Sequence, residues 1–154
     1  MGADNQQERL DASWVVGFVD GEGCFRVSIN RQPAMSLRWQ VLPEFRVVQH
    51  ERDERVLQKL TGVFGCGSVV RNHGNRKEFR VRGLQNLTRV VDFFRKHPLQ
   101  TTKQKNFEQF AQIIELMQEG QHGTRDGIDT IAHIAWNMNR QLKPRYLESS
   151  ETIR

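Results

Sequence analysis

The chain has 154 residues, 37% of them hydrophobic and 27% charged, with a net charge of +5 and a pI of about 9.7. This suits a single domain of 1–154 with one core, and no apolar run is long enough for a membrane span or placed like a secretory leader. Cys24 and Cys66 form no CxxC, and the five histidines lack ligand spacing, which argues against a zinc site and for reduced thiols inside a cell.

Residues 1–8 are polar and read as a loose N-terminus. A first helix is predicted from about Leu10 to Asp20, with Asp11 or Ser13 as cap and Trp14, Val15, Phe18 and Val19 on its core side. Gly17 and Gly21 stand four apart on one helical face, where another backbone, such as a second copy of the same helix, can come close. Gly23 permits a sharp exit. Acids are unfavourable at a helix C-terminus because the dipole is negative there. Asp20 and Glu22 therefore read either as solvated surface or as a place for a cation or for chemistry.

The period then changes to two. In "CFRVSIN" Phe25, Val27 and Ile29 alternate with Arg26, Ser28 and Asn30. After the loop around Gln32, "LRWQVLPEFRVVQ" sets Arg38, Gln40 and Arg46 against Leu37, Trp39, Val41, Phe45 and Val47, and Pro43 predicts a bulge or an edge. "GSVVRNHGNRK" reads as a strand entering a turn at Arg71, Asn72, Arg76 and Lys77, and "EFRVRG" sets Arg80 and Arg82 against Phe79 and Val81. Four strands thus share one apolar and one Arg/Gln/Asn/Ser face, as in an antiparallel sheet backed by helices.

Helical stripes fill the remainder: Val56, Leu57, Leu60 and Phe64 after an Asp53 cap and before Gly65; Leu84 to Phe94, ending near His97-Pro98; Phe107 to Met117; and Ile128 to Met138 within a C-terminal helix and tail over 124–154. They read as core, with no small-molecule cofactor box. Residues 26–82 hold 12 Lys and Arg against 5 Asp and Glu, whereas the rest holds 11 against 13. Arginine supplies 17 of the 23 basic residues, and its planar fork suits phosphates and guanine edges.

The nonamer "VVGFVDGEG", Val15 to Gly23, resembles the motif of the LAGLIDADG homing endonucleases: Gly17, Asp20, Gly21, Glu22 and Gly23 fall on its glycine, first acid, small residue, second acid and final glycine. The helix-strand-strand-helix order, the basic sheet face, the "HPL…TTKQKNF" segment and the ending "SSETIR" are similar to that family's single-motif, homodimeric members. The resemblance implies an α+β fold, αββαββα, with a saddle-shaped four-stranded antiparallel sheet and helices on one face. It implies an intron-encoded, Mg²⁺-dependent endonuclease that cuts a long pseudo-palindromic duplex DNA, in a prokaryotic cytoplasm or an organelle, with Mn²⁺ or Ca²⁺ able to occupy the metal site. Glu22, a longer acid where aspartate is frequent, would bind metal together with the Gly21 carbonyl. Gln49 would order water, and Lys103, with Lys105 a weaker alternative, would be the active-site lysine. Gly17, Asp20 and Gly21 would form the dimer interface. Arg26, Ser28, Asn30, Gln32, Arg38, Gln40, Arg46, Arg80 and Arg82 would read bases, and Arg71, Asn72, Arg76 and Lys77 would touch the outer ends of the site. An RNA maturase and a non-catalytic DNA-binding regulator are the alternatives on the same scaffold.

Overall fold

Asp11, in extended conformation, precedes helix α1 (Ala12–Glu22) and accepts a 2.8 Å hydrogen bond from Ser13 Oγ. This computed structural model describes residues 9–139 and 146–147; the expected loose start and the "SSETIR" ending lie outside them. α1 buries Val15, Val16 and Val19. Trp14, expected in the core, is instead 43% exposed and stacks on Phe18 with ring centroids 4.8 Å apart. The compact valines fill the inward stripe, and the two aromatics, four residues apart, cover each other on the flank.

α1 runs past its expected end to Glu22, and Gly23 opens strand β1 (Gly23–Arg31) in extended conformation. Space, not a left-handed turn, requires glycine there. A Cβ would stand 2.6 Å from Val19 Cγ1 and 3.0 Å from the Val19 carbonyl oxygen.

The chain continues through β2 (Trp39–His50), a 3-10 turn (Glu51–Asp53), α2 (Glu54–Phe64), β3 (Ser68–Arg71), β4 (Arg76–Val81), α3 (Leu84–Lys96), α4 (Lys103–Gln118) and α5 (Arg125–Asn139). Gly65, at φ 71°, closes α2 in the left-handed conformation that favours glycine. The four strands form one sheet in the order β1-β2-β4-β3, with β4 antiparallel to both β2 and β3. This is the expected α+β order, extended by two further helices. Pro43 sits in an inner strand, not at an edge. The paired stretch with β4 begins at Phe45, so the amide that proline lacks falls before that ladder starts.

The described residues divide into two compact units, one of residues 9–24 with Glu44–Gln104 and the other of Phe25–Pro43 with residues 105–139 and 146–147. In the first, Phe45 is fully buried among Phe64, Phe79 and Phe94 at centroid distances of 5.6, 6.3 and 5.8 Å. Burying each such ring contributes about 1.5–3 kcal/mol. In the second, Phe25 packs on Phe107 and Phe110 at 5.5 and 5.2 Å, and Trp39 meets Tyr146 edge-on at 5.3 Å. Among the described residues, no helix is long and apolar enough to cross a membrane.

Candidate functional site

The C-terminal end of α1 carries two acids with opposite surroundings. Asp20 is fully engaged. Its Oδ2 accepts from the Gln100 amide at 2.8 Å, and its Oδ1 accepts from the Thr101 amide at 3.1 Å and the Thr101 hydroxyl at 2.7 Å. Burial pushes its pKa up, but those bonds and the charge of Lys103 outweigh burial and hold it below the ordinary 3.8. Thr101 Oγ1 in turn accepts from the Lys103 amide at 3.2 Å, where α4 begins. Asp20 thus anchors the turn that launches the lysine-bearing helix. The dipole cost of an acid at this position is offset by donors presented from another segment.

Glu22 is exposed and has no hydrogen-bond or ion-pair partner among the described residues. Nothing within the fold explains an acid there. Lys103, half-buried, reaches the same helix end and donates from Nζ to the Val19 carbonyl at 3.1 Å. Glu22 and Lys103 are therefore both held by the last turn of α1, whereas Lys105 is exposed. Gln49 is half-buried near the end of β2, opposite Lys77, and its amide has no hydrogen-bond partner among the described residues.

The donor set suits a hard divalent cation: a carboxylate at Glu22 and, one residue earlier, a carbonyl at Gly21 in the last turn, where the helix leaves carbonyls without intrahelical partners. It is not a complete cage. Among the described residues, no group of three or more His, Cys, Asp and Glu side chains stands close enough to hold an ion.

Gly17 and Gly21 are exposed, and a Cβ on either would meet nothing within 4 Å. Among the described residues, no contact demands glycine at either position. Beside them a cavity of about 510 Å³ is lined by Ser13, Val16, Gly17, Asp20, Lys96, His97, Pro98 and Gln100.

The predicted nucleic-acid face is only partly as expected. In the first unit Arg46 and Arg80 are cross-strand partners on one face, and two carboxylates that sequence reasoning missed stand there with them. Glu44 and Glu78 are 5% and 4% exposed. Arg82 Nε lies 2.9 Å from Glu44, Arg46 3.5 Å from Glu78, and Arg80 3.7 Å from Glu78. The signal was present, because both acids keep the period-two register of those arginines. Asn72 donates to Glu78 at 2.9 Å and accepts from the His73 amide at 2.6 Å, so its amide is already occupied. Arg71 donates to the Gly74 carbonyl at 3.2 Å and Arg76 is exposed. Lys77 is the second residue of β4. Alternation places it on the opposite face from Arg76 and Arg80, paired with Glu54 at 3.2 Å.

In the second unit Arg26 and Asn30 are exposed on β1, with Ser28 half-buried between them and Gln40 half-buried on β2. Arg38 is not a strand residue as expected. It closes the β1–β2 loop at φ 67°, donating from its amide to the Met35 carbonyl and accepting from the Gln32 amide. Arg31, which sequence reasoning passed over, places its guanidinium 5.4 Å from the centroid of the Trp39 ring.

The family model described as LAGLIDADG endonuclease matches residues 15–114. Over 144 residues the chain is 30% identical to probable intron-encoded endonuclease 2 of Neurospora crassa, covering 89% of this chain and 32% of that protein. It is 28% identical over 92 residues to DNA endonuclease I-CvuI of Chlorella vulgaris, covering 60% of this chain and 57% of that protein. The chain thus spans about a third of its Neurospora relative. Among solved structures, the homing endonuclease I-TnaI superposes with TM-score 0.89 at 48% identity, over 95% of this chain and 99% of that one. I-LtrWI, solved bound to target DNA, gives 0.81 at 33% identity over 84% and 44%. I-SmaMI, bound to an uncleaved DNA target with calcium ions present, gives 0.84 at 29% identity over 87% and 46%.

Proposed function

The chain belongs to the LAGLIDADG endonuclease family, and from that membership we propose that it is a site-specific homing endonuclease that hydrolyses both strands of a duplex DNA target. The observation that carries this reading is the contrast at the end of α1: Asp20 is consumed by the fold, while Glu22 is left open beside a tethered Lys103. We read Asp20 as the structural acid of the nonamer and Glu22 as the chemical one.

Glu22 and the Gly21 carbonyl would hold Mg²⁺ or a similar divalent ion. Such an ion, when bound beside a scissile phosphate, stabilises the developing phosphorane charge and lowers the pKa of water. The chain's own groups do the remainder. The Nζ of Lys103, a fixed positive charge at the helix end, offsets negative charge building on the phosphate and the departing 3′ oxygen. Gln49, whose side-chain amide has no partner among the described residues, orients the attacking water. The arginine-bearing sheet faces bind the duplex, a twisted antiparallel ribbon being narrow enough for the major groove.

One Glu22 serves one strand, so cutting both takes two. We assign the second to a second copy of the chain, packed through the glycine face of α1 as a two-fold dimer. The relatives solved on DNA are about twice as long as the part this chain matches, in accord with one copy supplying half of such an assembly. The compartment of action follows the gene, since an intron-encoded nuclease finds its target where its own intron inserts.

The test is cleavage, with Mg²⁺, of duplex DNA spanning the uninterrupted insertion site of the reading frame. Wild type cuts both strands, and Glu22→Gln binds the same duplex without cutting. Full activity of that variant overturns the assignment of Glu22.

A further inference from the structure

A basic, DNA-binding face has no evident use for buried acids, yet Glu44 and Glu78 lie beneath three of its arginines. The carboxylates are shared. Glu44 faces Arg82 at 2.9 Å and Arg46 at 4.0 Å, and Glu78 faces Arg46 at 3.5 Å and Arg80 at 3.7 Å while accepting from Asn72 at 2.9 Å. Their side chains are 7% and 6% exposed, whereas those of Arg46, Arg80 and Arg82 are 29%, 30% and 45% exposed. The acids form a floor and the guanidinium groups project from it. Each guanidinium has five N–H donors in a rigid fork. Glu44 takes the Nε of Arg82 in a 2.9 Å hydrogen bond, and the longer contacts of Arg46 and Arg80 draw one guanidinium nitrogen of each toward the acids, leaving their remaining donors unassigned to either carboxylate.

We propose that Glu44 and Glu78 are positioning residues for sequence discrimination, holding Arg46, Arg80 and Arg82 in directions that suit base edges and removing charge that would otherwise grip phosphate indiscriminately. This rests on the DNA-binding reading above. Three arginines set against two carboxylates leave the cluster with one net positive charge. Non-specific binding scales with the phosphates neutralised, so removing the two carboxylate charges frees arginine charge for phosphate and raises indiscriminate affinity. Bidentate base contacts need a fork of fixed direction, so the same change means less discrimination. A purely structural ion-pair network predicts something else: weaker folding, and loss of both kinds of binding together.

The experiment selects binders from a randomised duplex library with wild-type protein, then repeats the selection with Glu44→Gln/Glu78→Gln. Wild type is expected to enrich a defined site. The variant is expected to bind unselected duplex several-fold more tightly, with a steeper salt dependence, and to lose about tenfold of its preference for the selected site. Unchanged preference and unchanged random-duplex affinity overturn the proposal, as does a parallel fall in both. If circular dichroism shows the double variant unfolded, a cycle of Glu44→Gln, Arg82→Gln and their combination decides instead. Loss of preference in Glu44→Gln that is absent in the Arg82→Gln background supports positioning, and additive losses overturn it. Wild type that enriches no duplex overturns the DNA-binding reading itself, a result distinct from any of these.

Discussion

Asp20 holds Thr101 twice from a single carboxylate oxygen, at 2.7 Å from the hydroxyl and 3.1 Å from the amide, across 81 residues of sequence. One side chain of the motif helix thereby fixes where α4 starts, and with it the stem of Lys103, whose head returns to the Val19 carbonyl. The two conspicuous acids of the nonamer are therefore separable by experiment.

Asp20→Ala removes the acceptor for three donors and is expected to cost about 1–3 kcal/mol of stability at neutral pH. Because the folded pKa of Asp20 lies below its ordinary 3.8, its ionised form is the stabilising one. That contribution is complete above 3.8 and disappears as pH falls through the lower folded value. Denaturant melts of wild type and Asp20→Ala should therefore differ at pH 7, begin to converge below about pH 3.8 and close as pH falls through the lower folded value. A gap that stays constant into strong acid contradicts the assignment.

Glu22→Gln should leave the melt within about 0.5 kcal/mol of wild type, as expected for a surface group with no partner. The pair of variants makes the contrast direct: one acid moves stability, while the other moves cleavage without moving stability. A large destabilisation in Glu22→Gln would show a structural use for Glu22 that the fold does not display.

The sequence carried the nonamer, the alternation of four strands and the helical stripes, because period and turn residues are local signals. It carried less where packing decides. The α1 stripe could not be rotated correctly from hydrophobicity alone, since Trp14 and Val16 are both apolar and only the room available inside selects the valine. Arg38 reads as a strand residue in the sequence because a left-handed loop closure leaves no alternation mark. The ion pair of Lys77 with Glu54 leaves no mark in the pattern because the two lie far apart in sequence. The acids under the arginines escape for a different reason: a charge count over residues 26–82 sums a segment, whereas Glu44 and Glu78 matter by depth.

Gly23→Ala is expected to cost about 1–3 kcal/mol, an overpacking penalty, since its Cβ would press on both the side chain and the carbonyl of Val19. That carbonyl is also the Lys103 acceptor, so cleavage should fall alongside stability. Thermal melts and single-turnover cleavage on one preparation check both.

Duplex affinity should fall steeply between about 50 and 200 mM salt, by a factor that reports how many phosphates are neutralised. Arg76→Gln removes an exposed cation and should lower affinity for all sequences alike while flattening that slope by about 1 per protomer. A flat wild-type profile would point away from nucleic acid as the ligand.

The glycine face gives the last prediction. Gly17 and Gly21 have open space where a side chain would go, so alanine at either position fits the isolated protomer and should stabilise the helix by about 0.5–1 kcal/mol through the lower backbone entropy of the unfolded chain. Leucine is a good helix former, and position 17 is exposed in the protomer. Both substitutions are harmless if the face meets water. If it meets a second α1, leucine at Gly17 holds the helices apart and separates the two Glu22 carboxylates. Sedimentation should then show a wild-type dimer and a folded Gly17→Leu monomer that has lost double-strand cleavage. A Gly17→Leu protein that remains dimeric and cuts both strands removes the glycine face from the interface, and an active wild-type monomer removes the dimer altogether.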